Sequence, residues 1–230
     1  MSVGCSKRLL VGMLLLVSRG LQAETACSTP MWQDEFDGDT VDNAKWQFVE
    51  GDGCDQDLCG WGNDEKQWYL AKNARIEAGA LHITGQRERS HSRWYTSAKL
   101  TTQGRFAAQY GRFEARMKIP KGDGFWPAFW MMPKSDMRWP LAGEIDILES
   151  SGHTPEKVLG AIHFGDLWPN NGTTVNRFWH RCLGLTTFMF MRWSGDLRKS
   201  AGLLTIRSTD EPRLRTSPPI LGCLMSGLFI

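Results

Sequence analysis

Three carboxylates fall within six residues in Gly143-Glu144-Ile145-Asp146-Ile147-Leu148-Glu149, interleaved with Ile, Ile and Leu. In an extended strand, side chains alternate between faces, so Glu144 and Asp146 share one face and Ile145 and Ile147 the other. Packing does not explain acids here, because a buried carboxylate without a partner is costly or gives up its charge. Strict alternation fails at Leu148. A β-bulge after Ile147 would return Glu149 to the face of Glu144, and bulges of this kind recur beside active sites.

Two carboxylates on one strand face match the needs of retaining glycoside hydrolysis. One attacks the anomeric carbon, while the other protonates the leaving oxygen and then activates water, with the carboxyl groups roughly 5–5.5 Å apart. Cα atoms two residues apart on a strand are separated by roughly 6.5–7 Å, so Glu144 and Glu149 start further apart than this. Side-chain lean and strand curvature must close the gap. Asp146, between them, is placed to hydrogen-bond the nucleophile, and repulsion among the three would raise one pKa as an acid/base catalyst requires. A metal site needs more convergent ligands than this run offers. An exposed acidic strand would not carry Ile, Ile and Leu behind it.

Aromatic residues gather nearby in the sequence. Gly124-Phe125-Trp126-Pro127-Ala128-Phe129-Trp130 precedes the acids and Trp139-Pro140 leads into them. Indole faces suit the apolar patches of pyranose rings, and the indole N–H reaches hydroxyls. Any single Trp could equally be core, but the set beside paired acids favours sugar stacking. His163 falls on the next candidate strand. It is either structural or, if that strand pairs with the acidic one, a contact for Asp146 or the substrate. The loop Gly60-Trp61-Gly62-Asn63-Asp64-Glu65-Lys66-Gln67 reads as a turn, in which Asn63 is either solvated or a sugar ligand.

The elements that must position these groups are strands. From Thr29 to about Phe164, runs such as Ala80-Leu81-His82-Ile83-Thr84 and Arg112-Phe113-Glu114-Ala115-Arg116-Met117 alternate apolar and polar residues between Gly, Asn and Asp turn signals. No long stretch has helical periodicity and no repeat appears. The pattern predicts one all-β domain, a sandwich of two antiparallel sheets. The chain's 230 residues suffice for a substantial core, and 27 basic against 25 acidic residues give no electrostatic case for nucleic acid. The counts of 11 Trp and 24 Gly against 3 Tyr fit a β-sandwich or a sugar binder.

The first 23 residues read as a signal peptide: Lys7-Arg8, an apolar run from Leu9 to Val17, and a cleavage site at Leu21-Gln22-Ala23. That run is too short to span a bilayer, so the expected product is secreted, extracellular or periplasmic, with no membrane partner after cleavage. Export permits disulfides. Cys54 and Cys59 flank a tight loop and are the expected pair, leaving Cys27, Cys182 and Cys223 as an odd set.

Taken in order, several motifs resemble glycoside hydrolase family sixteen, in the bulged form of its laminarinase branch. They are Asp34-Glu35-Phe36-Asp37-Gly38, Gly60-Trp61-Gly62-Asn63, Tyr95-Thr96-Ser97-Ala98, Tyr110-Gly111-Arg112-Phe113-Glu114-Ala115-Arg116, Trp126-Pro127-Ala128-Phe129-Trp130, and Trp139-Pro140 followed by the acidic run. The resemblance runs from about Trp32 to Asn171. It implies a β-jelly-roll with a concave substrate cleft, and Glu144 as nucleophile, Asp146 as its assistant and Glu149 as acid/base. It further implies that Asn63, Arg112, Trp126, Trp130, Trp139 and His163 line the cleft, and that Glu35 belongs to a structural calcium site. No cofactor is required for catalysis. The expected protein is a monomeric endo-β-1,3-glucanase acting on β-1,3 or mixed-linkage β-1,3-1,4 glucan with retention. The alternatives are another polysaccharide such as agar or carrageenan, a non-catalytic β-glucan-binding protein, or an inactive truncated product.

Beyond about Asn176 the texture changes. Residues 177–230 contain no Tyr, are basic, and end in an apolar run without alternation. The expected domain therefore spans 24–176 and is incomplete at its C-terminus, with 177–230 an atypical tail. Codons begun at the third base of the displayed ones permit F-D-D-F-H-V-Y-A-L-E-W over residues 185–195 and K-V-R-W-F-V-D-D-Q-E-Y over 199–209. Both strings are of the kind the family places here, so the tail reads as out of frame from a switch between about Asn171 and Cys182.

Overall fold

The computed structural model describes residues 30–166, 171–179, 188–196, 201–209 and 226–229. The signal peptide expected over 1–23, together with Cys27, Cys182 and Cys223, lies outside them. Fourteen strands are the dominant regular structure among the described residues, whose helices are three short 3-10 turns, at Cys54–Gln56, Cys59–Gly62 and Ala71–Asn73.

The main sheet has seven strands. Its order is β1 (Gln47–Val49), β6 (Lys99–Thr101), β14 (Ser226–Phe229), β8 (Ala128–Met131), β9 (Glu144–Ser150), β10 (Lys157–Gly165) and β11 (Asn171–Trp179). Neighbouring strands in it run antiparallel throughout. A second sheet has the order β13 (Ala201–Thr209), β12 (Phe188–Asp196) and β7 (Tyr110–Met117). A parallel pair, β2 (Gln67–Tyr69) with β5 (Tyr95–Ser97), and a hairpin, β3 (Ala74–Glu77) with β4 (Ala80–Ile83), complete the described strands.

The core lies between the two sheets. Phe113 of β7 packs with Phe129 and Met131 of β8, with Ile145, Ile147 and Leu148 of β9, and with Val158 of β10. Ala115 and Met117 of β7 join from the same side, as the two-residue period requires. A second cluster of Trp46, Ala98 and Leu100, with Trp32, Phe36 and Leu81 against it, closes the end at β1 and β6. The fold is the all-β sandwich that alternation predicts.

Described strands run beyond the expected boundary at residue 176. β11 continues to Trp179, past that boundary, and β12 pairs with β13 on one side and with β7 on the other. Backbone pairing closes the second sheet even though the tail's side-chain pattern does not alternate cleanly, because ladder hydrogen bonds are made by the main chain of almost any residue. The strands also fall on the two windows, 185–195 and 199–209, where the displaced reading frame yields strand-like strings.

Candidate active site

β9 is central in the main sheet, with β8 on one side and β10 on the other. Against β8, Phe129 faces Leu148 and Trp130 faces Asp146, so Ile147 is the extra residue of a bulge. Against β10, Leu159 faces Glu149 and Ala161 faces Asp146, which leaves Gly160 opposite both Ile147 and Leu148. Ile147 and Leu148 are both fully buried in the core, and Glu144, Asp146 and Glu149 are left to the opposite face. One inserted residue thus sets the spacing of the acids.

Each acid has its own donor. Trp139, on the loop before β9, donates its indole N–H to Glu144 Oε2. Trp126, just before β8, donates its indole N–H to Glu149 Oε1 at 3.1 Å. Between them, His163 Nε2 lies 3.0 Å from Asp146 Oδ2. His163 reaches this position because β10 pairs it with Glu144, one pleat from Asp146. The rings of Trp139 and His163 also touch, with centroids 5.6 Å apart. Trp126 and Trp139 remain 47% and 45% exposed, so each offers a free ring face while its N–H is held by an acid.

The electrostatics follow from this crowding. Burial, and next the charge of Asp146, push Glu144 up to about 7, against the pull of the Trp139 N–H. The same two causes raise Glu149, against the Trp126 N–H. The hydrogen bond to Asp146 holds His163 above its ordinary value, against its own burial. The two glutamates therefore hold a proton more firmly than free carboxylates do, and Asp146 favours the protonated form of His163.

Trp130 shares the face of Asp146 and leads to a group that the sequence reading did not select. Lys99 Nζ of β6 lies 4.3 Å from the Trp61 ring centroid, 5.1 Å from that of Trp130 and 5.9 Å from that of Tyr69. Burial lowers the Lys99 pKa, while Glu65 and Glu144 oppose the shift. Glu65 accepts hydrogen bonds from the Tyr69 hydroxyl and from Gln67 Nε2, each at 2.7 Å. The available signal was positional: Lys99 directly follows the motif Tyr95-Thr96-Ser97-Ala98, and Trp61, Glu65 and Gln67 belong to the loop read as a turn.

One expected cleft residue is placed elsewhere, and Asn63 is shown in contact with none of the acids. Arg112 sits on β7 with its guanidinium on Glu114, Nε donating to Oε2 at 2.8 Å. Phe113, Ala115 and Met117 turn toward the core, so Arg112 and Glu114 lie on the face of the second sheet turned away from the acids. Asn63 is exposed in its turn, where its backbone N–H bonds Gly60 O, and the loop sends Trp61 toward Lys99 instead. Single-strand periodicity cannot say which sheet a strand joins, and turn composition cannot say which side chain faces inward. Cys54 and Cys59 form a disulfide at the base of this loop.

The calcium expectation finds no side-chain cradle: among the described residues, no three His, Cys, Asp or Glu side chains converge as metal ligands. Asp34, next to Glu35, is engaged by the Trp46 indole N–H at 2.8 Å and by Lys45 at 3.3 Å.

Comparison with known proteins agrees with the geometry. The chain is 40% identical over 154 residues to the glucan endo-1,3-beta-glucosidase A1 of Niallia circulans, which covers 61% of this chain and 23% of that protein. It is 42% identical over 141 residues to the beta-glucanase of Rhodothermus marinus, covering 58% of this chain and 47% of that protein. The chain thus spans from about a quarter to half of the length of these relatives. Among solved structures, the catalytic domain of an endo-1,3-beta-glucanase (laminarinase) from Thermotoga petrophila RKU-1 superposes with a TM-score of 0.70. It is 32% identical, covering 77% of this chain and 74% of that one. The family model for glycosyl hydrolases family 16 matches residues 61–179, which include the whole acid strand and all its hydrogen-bonding partners. The chain belongs to glycosyl hydrolases family 16.

Proposed function

We propose that this protein is an endo-acting glycoside hydrolase that cleaves β-1,3 or mixed-linkage β-1,3-1,4 glucan with retention of configuration. One observation carries the reading: Glu144 and Glu149 share a strand face, each held by its own indole N–H, with the His163–Asp146 pair between them. In the first step the Glu144 carboxylate attacks the anomeric carbon while Glu149 gives its proton to the departing glycosidic oxygen. In the second, Glu149 takes a proton from water, the water oxygen bonds to the anomeric carbon, and Glu144 leaves. Asp146 orders the charges on either side, and protonated His163 offsets its charge.

The free cluster retains its proton more firmly at Glu144 than this sequence of steps needs. A glycosidic oxygen placed over Glu149 offers an acceptor only there and thereby selects the form with Glu149 protonated and Glu144 ionised. Trp126 and Trp139, with half-open ring faces at the two ends of the acid row, supply stacking platforms for sugars on either side of the scissile bond. A secreted monomer with a polysaccharide partner completes the reading.

The test is reducing-sugar release from laminarin and mixed-linkage glucan by wild type and by Glu144→Gln, with the anomer of the first-formed product read by NMR. Retention, and a loss of several orders of magnitude in the variant, are expected. Equal release by the two proteins refutes the assigned nucleophile. Binding of laminarin without release by wild type would favour the glucan-binding alternative.

A further inference from the structure

The residue before Trp126 is held in an unusual way. Phe125 is bracketed by three glycines from separate segments, Gly85, Gly122 and Gly152. A Cβ on Gly85 would lie 2.8 Å from Phe125 Cε1, and on Gly122 3.3 Å from its Cδ2 and Cε2. On Gly152 it would fall 2.2 Å from Gly122 O and 2.8 Å from Phe125 Cβ. The backbone closes the same contact: Gly122 N–H donates to Gly152 O at 2.9 Å and Gly152 N–H to Phe125 O at 2.8 Å. Ser150 N–H then donates to Pro127 O at 3.1 Å, so the chain is pinned on both sides of Trp126.

Trp126 itself is half exposed, and one hydrogen bond to Glu149 fixes its indole. A long aromatic side chain on an exposed loop would sample other rotamers unless its backbone were immobilised. We propose that Phe125 and its glycine cradle form a latch that positions the Trp126 indole N–H on Glu149, making Phe125 a positioning residue for the acid/base of the reaction proposed above. The latch joins the loop carrying the donor to the segment just after β9, which carries the acceptor, so donor and acceptor keep their relation when a substrate pushes on the exposed ring. Preorganisation of this kind counts in catalysis because a small displacement of a proton donor is costly.

The probe is Gly85→Ala, whose methyl group meets the Phe125 ring edge first, 2.8 Å from Cε1. Phe125→Leu is the second variant and Trp126→Phe, which removes the N–H outright, is the reference. Each is assayed on laminarin and on a laminari-oligosaccharide bearing a dinitrophenyl leaving group, which departs without acid assistance. Gly85→Ala and Phe125→Leu are expected to follow Trp126→Phe. On laminarin kcat should fall on the order of tenfold or more, within the range that general acid catalysis supplies. On the activated substrate the glycosylation rate should stay within about twofold of wild type, because that step no longer needs the proton. The alkaline limb of the laminarin profile should move to higher pH, since the Trp126 N–H holds the Glu149 pKa down. An equal loss on both substrates, or wild-type values and an unmoved limb in both variants, overturns the latch. Failure of wild type on both substrates would instead overturn the proposed hydrolase activity.

Discussion

Replacing Glu144 by Gln should stabilise this protein at alkaline pH and leave its stability nearly unchanged in acid. In the folded chain, burial and the neighbouring Asp146 keep the Glu144 proton bound up to about 7, whereas the unfolded chain releases it near 4.5. Between these values the folded state binds more protons than the unfolded one, so wild-type stability falls as pH rises through this window. At roughly 1.4 kcal/mol per pH unit, holding the proton up to about 7 instead of 4.5 amounts to roughly 3–4 kcal/mol above pH 7. Gln keeps an oxygen that accepts the Trp139 N–H and has no charge to desolvate, so it avoids the penalty while retaining the contact. For a domain of this size, the lower figure, about 3 kcal/mol, corresponds to a rise in Tm of roughly 6–12 °C. The assay is urea or thermal unfolding of both proteins at half-unit steps from pH 4 to pH 9. The gain should be absent below about pH 4.5, grow through the window and level off above about pH 7. A difference that stays constant across this range, or that is largest in acid, would refute the account of Glu144 as a buried, repelled carboxylate.

His163→Gln should behave with the sign of a raised histidine: its ion pair with Asp146 is fully present below about pH 6.5 and is lost as pH rises through the higher folded value, so the variant should lose more stability at pH 6 than at pH 9. Unfolding curves at those two pH values check this, and the reverse order would contradict it. Lys99→Met removes a cation stacked on three rings, so stability should fall by roughly 1 kcal/mol and the acidic limb of kcat/KM should move upward as Glu144 loses a favourable charge; a limb that stays in place would separate Lys99 from the acids. The tail makes a genetic prediction: resequencing should reveal a one-base frame displacement between about Asn171 and Cys182, and the restored chain should be the more soluble because alternating strands cover the sheet edges. An intact single frame with unrelated codons would dismiss the displacement.

Much of the site was legible in the residues alone. The acid strand, its bulge and the apolar back follow from a two-residue period broken once, and that local rule holds because strand geometry is fixed by the backbone. The Cys54–Cys59 closure is similarly local. Residues brought from a distance were less legible. Lys99 reaches Trp61 and Trp130 only because β6 and β8 belong to one sheet, and the identity of strands in a sheet is a property of topology. Arg112 has the composition of a cleft residue, yet β7 belongs to the opposite sheet, where Glu114 takes its charge. Phe125 read as one more aromatic in a rich stretch until Gly85, Gly122 and Gly152 converged on it from three parts of the chain.

The order of the acids and their pairing on one face were therefore set by the sequence itself, since both depend on neighbours within one strand. Which donor each acid receives, how far burial and repulsion raise its pKa, and what holds Trp126 over Glu149 were decided by tertiary structure. These depend on distances between segments far apart in the chain, and Coulomb and desolvation energies change steeply with such distances.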